Sequence, residues 1–171
     1  GIPYDGKYIF SEMGYNFLPS EISAAFALEQ LKKLKHNINT RVKNFNTIFN
    51  HFKKYEDFFV LPNEFKGLKT GWLAFPLIIK SQKKILRKNL QIFLEKNGIQ
   101  TRTIFTGNIL RQPIMKSQFY KKCKDATINS DNVMKNGILI GCHHGLNSKE
   151  IRYMLSKFDQ FLITYKLRAN K

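Results

Sequence analysis

Three groups of residues in this chain have side chains and spacings that could do chemistry. The first is Gly14-Tyr15-Asn16, in a loop that runs to Pro19 and Ser20. A glycine without Cβ lets the backbone approach a ligand, and asparagine carries a donor and an acceptor together. The second lies between Ile99 and Pro113 and holds Arg102, Gly107, Asn108, Arg111 and Gln112. The planar fork of arginine suits a phosphate, and the neutral amides suit hydroxyls and carbonyls. The third is Cys142-His143-His144-Gly145-Leu146, directly after an apolar run. Adjacent histidines on an extended segment point to opposite sides, and no carboxylate or further cysteine stands at ligand spacing, so no metal site is expected. The two cysteines, Cys123 and Cys142, form no CxxC pattern and read as reduced, buried or half-buried thiols. Taken alone, the first stretch reads as an ordinary turn and the second as a loop with a surface arginine.

The elements that must position these groups follow from periodicity. Ser20 suits an N-cap and Glu21 the first helical turn, where a carboxylate meets the positive end of the dipole. Ile22, Ala25, Phe26, Leu28, Leu31 and Leu34 then recur at helical spacing, with Ala24, Ala25 and Ala27 leaving room for a close neighbour, such as a second subunit. After a change of phase near residues 35–39, Ile38, Val42, Phe45, Phe49 and Phe52 continue as an amphipathic helix, with Arg41, Lys43, Asn44, Lys53 and Lys54 off the stripe. His36 and His51 read as solvated. A short strand is expected over 58–61 and a second over 72–79, where Pro76 removes a ladder donor and implies an edge or a bulge. A helix over 84–96 stops at Asn97-Gly98, and a strand follows over 99–104. Phe119, Tyr120 and Cys123 suggest a short helix, and residues 129–136 another, capped by Asn136-Gly137. A buried strand over 138–141 leads to the last helix from Ser148, with Ile151, Met154, Leu155, Phe158, Phe161, Leu162 and Tyr165 inward. Strands alternating with helices make the fold class α+β.

A chain of 171 residues with 43% hydrophobic content and 15 phenylalanines can fill a core. No apolar run is long enough to span a bilayer and no signal-peptide pattern is present, so a cytoplasmic protein is expected, with no membrane partner. The net charge of +17 raises nucleic-acid binding as a possibility. The lysines are nevertheless spread along the whole chain, without a basic block that alternates with aromatics, a helix-turn-helix or an RNP-like run. Attraction of a small anionic substrate is the better use of that charge, and no nucleic-acid partner is expected.

The run Gly14-Tyr15-Asn16, Ser20, Ala24-Ala25 and Gln30-Leu31 resembles the segment that follows the cofactor-binding lysine or histidine in the DegT/DnrJ/EryC1/StrS family of nucleotide-sugar aminotransferases and dehydratases. Residues 1–8 are similar to an internal loop of that family, and Trp72-x-x-Phe75-Pro76 is similar to the strand that opens its small C-terminal domain. Gly98-Ile99, Thr101-Arg102, Gly107-Asn108 and Arg111-Gln112-Pro113 resemble the CDP-4-dehydro-6-deoxyglucose 3-dehydratase branch, where the aminotransferases have a Tyr-Pro-x-Pro type of loop. Residues 141–146 resemble a turn near the substrate sugar, where a histidine can hydrogen-bond a hydroxyl or phosphate.

The resemblance implies the C-terminal part of an aspartate-aminotransferase-type (fold type I) pyridoxal phosphate (PLP) enzyme. Residues 1–55 would be the end of the large domain, with a cofactor and dimer-contact loop and linking helices. Residues 56–171 would be a small α+β domain, an antiparallel sheet covered by helices. The implied activity is a PLP- or pyridoxamine phosphate (PMP)-dependent 3-dehydration of a nucleotide-linked 4-keto-6-deoxyhexose in deoxysugar (lipopolysaccharide or O-antigen) biosynthesis. A histidine in place of the Schiff-base lysine would take the proton as the C3 hydroxyl leaves. Asn16 is the implied cofactor contact, with Leu18 where relatives often carry Arg or Lys. Arg102, Asn108, Arg111 and His143 are the implied substrate contacts, an ion pair being the competing role for Arg102. The catalytic residues, and any iron-sulfur cysteines, are expected upstream of Gly1, so the chain alone should be catalytically silent. A homodimer and, in some members, a reductase partner are implied. Two other readings stay open: a nucleotide-sugar aminotransferase, and a noncatalytic basic binding domain.

Overall fold

A computed structural model describes residues 14, 15, 17–80, 85–121 and 127–164. The chain divides into two compact units, Gly1–Leu34 and Lys35–Lys171. The division falls within α1, Glu21–Phe52, a helix of 32 residues. In the first unit the Ser20 carbonyl accepts the Ala24 N–H (3.1 Å), so Ser20 is the N-cap residue, and Glu21 lies in the first turn as expected. The apolar residues here, Phe17, Leu18, Ile22, Phe26, Leu28 and Leu31, are all at least 61% exposed.

In the second unit the burial pattern of α1 reverses. Phe45, Ile48 and Phe52 enter the core, together with Asn44. Asn44 was expected off the apolar stripe and is instead 6% exposed, because its amide is consumed by the backbone of a distant turn. His51, expected to be solvated, is half-buried and bonded to Asp159 (2.9 Å), which also accepts from the Tyr55 hydroxyl (2.7 Å). This cluster ties the end of α1 to α4, Ser148–Thr164.

The sheet has four antiparallel strands in the order β1-β2-β4-β3, with β1 at Phe59–Val60, β2 at Ala74–Ile79, β3 at Thr101–Arg102 and β4 at Gly137–Gly141. Phe75, Leu77 and Ile79 of β2 and Ile138 and Ile140 of β4 are buried together, as the period of two requires. Pro76 sits in the second strand of the sheet, yet β1 pairs only with Ile78 and Ile79, so β2 is locally an edge at the proline. The aromatic centre of the core is Phe52, which meets Phe59, Phe75 and Phe158 at ring separations of 5.5, 5.8 and 5.0 Å.

Two further helices carry the connections, α2 at Arg87–Lys96 and α3 at Ile128–Asn136. Helix α2 ends in a Schellman motif: Ile99 N–H bonds the Leu94 carbonyl and Gly98 N–H the Glu95 carbonyl, both 3.0 Å, with Gly98 at φ 71°. Leu94 and Ile99 supply the buried apolar contact that accompanies it. Gly137, the C-cap of α3, has extended dihedrals, so its glycine answers to space instead of handedness. The expected strand over 99–104 shortens to two residues, set by what β4 can pair. The expected helix at Phe119 is not formed over 118–121, where Phe119 is fully exposed; Cys123 lies outside the described residues, as does Tyr165. Among the described residues no helix is long and apolar enough to cross a membrane.

Candidate functional site

A cleft of about 670 Å³ opens where the end of β4 and the turn after it meet the start of α4 and the connection from α2 to β3. Arg102 reaches it from β3, paired with Leu139 of β4, and His143 reaches it from the turn. Two of the residues proposed from the sequence as substrate contacts are thus brought to one cavity. Leu73, Leu139 and Leu146 give it an apolar wall, and Lys149 and Tyr153 add polar ends from the first turns of α4. The Arg102 side chain is exposed, and among the described residues no hydrogen bond or ion pair holds its guanidinium.

The turn that carries His143 is closely specified. Leu146 N–H donates to the His143 carbonyl (3.1 Å), and both amide hydrogens of Asn44 donate across to the His143 and Leu146 carbonyls (3.0 and 3.1 Å). One turn earlier on α1, Arg41 Nε donates to His144 Nδ1 (3.1 Å). The Gly145 N–H donates to His143 Nδ1 (3.2 Å). Asn147 then caps α4: its side chain accepts from Lys149 and Glu150 N–H, and Glu150 Oε2 accepts from Asn147 N–H (2.7 Å). That reciprocal pair is a capping box, and it commits the Glu150 carboxylate. Burial of Cys142 pushes its thiol up to about 12, so it is no nucleophile.

The other two proposed substrate contacts lie elsewhere, in the loop after β3, where both are bonded to Asp131 of α3. Asn108 is buried, donates to Asp131 (2.7 Å) and caps the short 3₁₀ turn Ile109–Arg111 through the Leu110 N–H. Arg111 grips the same Asp131 with two bonds, Nε at 3.0 Å and the terminal nitrogen at 2.7 Å. The fork that could take a phosphate is here filled by a carboxylate. Asn16 lies outside the described residues. The residues not foreseen are Asn44 and Arg41, whose partners are about a hundred positions away, and Lys149 and Tyr153. The Asn147-x-x-Glu150 spacing is the one signal that could have fixed the entry of α4 over the cleft.

Chemically, the cleft offers cationic and neutral donors over apolar walls. Among the described residues that line it, the one carboxylate, Glu150, is occupied, and no nucleophile is paired with a base. The cleft is suited to binding an anion with an apolar portion. Among the described residues no group of three or more His, Cys, Asp or Glu could hold a metal ion.

The chain is 32% identical over 158 residues to the lipopolysaccharide biosynthesis protein RfbH of Salmonella typhimurium, covering 92% of this chain and 36% of that protein. It is 31% identical to the dTDP-4-dehydro-2,6-dideoxy-D-glucose 3-dehydratase of Saccharopolyspora spinosa, covering 93% of this chain and 34% of that protein. The solved structure of the E. coli GDP-4-keto-6-deoxy-D-mannose-3-dehydratase with bound hydrated PLP superposes with a TM-score of 0.74 at 31% identity, over 88% of this chain and 38% of that one. The chain therefore spans little more than a third of the length of these relatives. The profile of the DegT/DnrJ/EryC1/StrS aminotransferase family matches residues 1–159, and the chain belongs to that family.

Proposed function

We propose that this chain is the C-terminal part of a PLP- or PMP-dependent 3-dehydratase acting on a nucleotide-linked 4-keto-6-deoxyhexose in deoxysugar biosynthesis. The observation that carries the reading is the collinear likeness, at 31–32% identity along about nine-tenths of the chain, to proteins named as 3-dehydratases. In support, the cleft combines Arg102, Lys149 and His143 with apolar walls, which matches a substrate with phosphates at one end and a base or deoxysugar at the other.

The cleft does not fit the cofactor. In the family resembled here a carboxylate pairs with the pyridinium nitrogen, and the Glu150 carboxylate that lines the cleft is committed to its cap. PLP or PMP supplies an electron sink when bound, and we place its site in the remainder of the enzyme, with Asn16 as this chain's contribution. Catalytic residues, and an iron-sulfur cluster if one is used, belong to that remainder. The exposed apolar face of α1 is then covered in the complete protein by a second subunit, which makes the enzyme a homodimer. We assign it to the cytoplasm, with a reductase as a further partner if the deoxygenated product needs electrons.

The test is to express the complete gene product, load it with PMP, and supply CDP-, GDP- and dTDP-linked 4-keto-6-deoxyhexoses. Loss of the C3 hydroxyl oxygen from the sugar is expected, with PMP converted to PLP, its nitrogen released as ammonia and no amino group retained on the sugar. Stable amino transfer to C4 would replace this reading with the aminotransferase one. Salt-dependent binding to DNA with neither reaction would leave a basic binding domain.

A further inference from the structure

Asn44 has no place in the cleft, yet it is the most constrained polar side chain near it. It is 6% exposed, and its two amide hydrogens are spent on carbonyls three residues apart, those of His143 and Leu146. Such a bridge fixes the path of the turn independently of the strand before it. Within that turn the ring of His143 is held as well. An Nδ1 that accepts the Gly145 N–H carries no hydrogen, so the ring hydrogen belongs to Nε2. A Cβ on Gly141 would lie 3.4 Å from His143 Cδ2 and 3.6 Å from Nε2, so that edge of the ring covers a residue lining the cleft. A Cβ on Gly145 would lie 3.1 Å from Nδ1, closer than ordinary contact, so glycine at 145 lets the ring sit down on its own turn.

We propose that Asn44 is a positioning residue for ligand recognition, holding the turn after β4 so that His143 offers a fixed Nε2–H to an anionic oxygen in the cleft that Arg102 also lines. A fixed neutral donor and a guanidinium unpaired among the described residues complement each other: the first sets register, and the second supplies charge. The anion is a phosphate of the nucleotide-linked substrate, an assignment that rests on the proposed function. Asn44 acts through backbone alone, from a helix that lends no residue to the lining of the cleft.

The experiment uses the 171-residue chain with ¹⁵N-labelled histidine, ring proton–nitrogen correlation spectra, and inorganic pyrophosphate as probe. His143 should show the Nε2–H tautomer, and pyrophosphate should shift that resonance. Asn44→Asp, which keeps the shape but loses both donors, should populate the other tautomer and weaken pyrophosphate roughly fivefold, the fold-change of about one hydrogen bond. Arg102→Gln should weaken the probe and leave the tautomer alone. An Nδ1–H tautomer in the unmutated chain, or a His143 resonance indifferent to pyrophosphate, overturns the proposal. If Asn44→Asp does not fold, those two readouts and Arg102→Gln still decide. Failure of dehydration by the complete enzyme, with both readouts as expected, would overturn the proposed function and leave the donor pair standing.

Discussion

Gly107→Ala tests how the loop before Arg111 is fastened. Gly107 has φ 67°, and a Cβ there would lie 2.4 Å from Met134 Cβ and 2.7 Å from Met134 Cα on α3. Two independent penalties apply. The left-handed conformation costs a residue with Cβ about 1–2 kcal/mol, and forcing a methyl into occupied space costs roughly 1–3 kcal/mol. Because one of the clashing atoms is backbone, a rotamer change of Met134 cannot relieve it. Together they come to about 3 kcal/mol, a large share of the ~5–15 kcal/mol of a typical domain. At ~2–4 °C per kcal/mol for a chain of this size, the melting temperature should fall by roughly 6–12 °C.

Two other glycines separate the terms. Gly98 has φ 71° but nothing within 4 Å of its Cβ position, so Gly98→Ala should show the conformational cost alone, about 1–2 kcal/mol. Gly137 has φ −79°, but its Cβ would lie 2.5 Å from the Val133 carbonyl oxygen and 2.7 Å from Ile104 Cδ1. Gly137→Ala should show the packing cost alone, about 1–3 kcal/mol. Urea unfolding of the three variants, read from the midpoint at constant slope, gives the order. A Gly107→Ala no worse than Gly98→Ala would refute the docking of this loop on α3.

Acidification should destabilise the chain from about pH 6.5 downward. Burial lowers His51 from its ordinary 6.5 despite the neighbouring Asp159, so stability complete above that value is lost as pH falls toward the folded one. Asp159 is also lowered: burial opposes its ionisation, but the Tyr55 hydroxyl, His51 and Lys54 outweigh it, which adds a second loss below about pH 4. His51→Gln should flatten the fall that begins at pH 6.5 and keep the lower step; an unchanged curve would remove His51 from the account. Cys142 should resist iodoacetamide in the folded chain at pH 8 and react on unfolding, as read by peptide mass spectrometry, since burial pushes its thiol up to about 12. Asn16→Ala in the complete enzyme should weaken PMP retention in a titration, and equal affinity would withdraw its role. Phe26→Glu, at a position 67% exposed here, should shift the complete enzyme from dimer to monomer in sedimentation; no shift would free that face from the subunit contact.

The features legible in the sequence are those set within one turn or one pleat. The inward residues of α4 from Ile151 to Leu162 are all buried, because helical spacing alone puts them on one stripe. The stop at Asn97-Gly98 follows from a conformation that glycine adopts freely. The extent of β3 was not legible, since a strand is as long as its partner permits. His51 and Asn44 were misjudged for a related reason. Each looks polar and outward on its own helix, and each is drawn in by a group about a hundred residues on, Asp159 for one and the turn at 143–146 for the other.

Arg102 and Arg111 sharpen the same argument. Both stand in short polar runs near a threonine or an amide, and both have the fork that a phosphate needs. What separates them is Asp131, 20 residues beyond Arg111 in sequence, which α3 presents to Arg111 and to Asn108 at once. A guanidinium already gripped at two points must surrender a carboxylate before it can take a phosphate, and the surrendered carboxylate would still face the incoming anion. Among the described residues Arg102 has no such partner, and β3 carries it beside β4 into the cleft that His143 lines. The motif that points to a phosphate therefore divides between two jobs. Arg111 braces the loop, and on the proposed function Arg102 is the one left to bind.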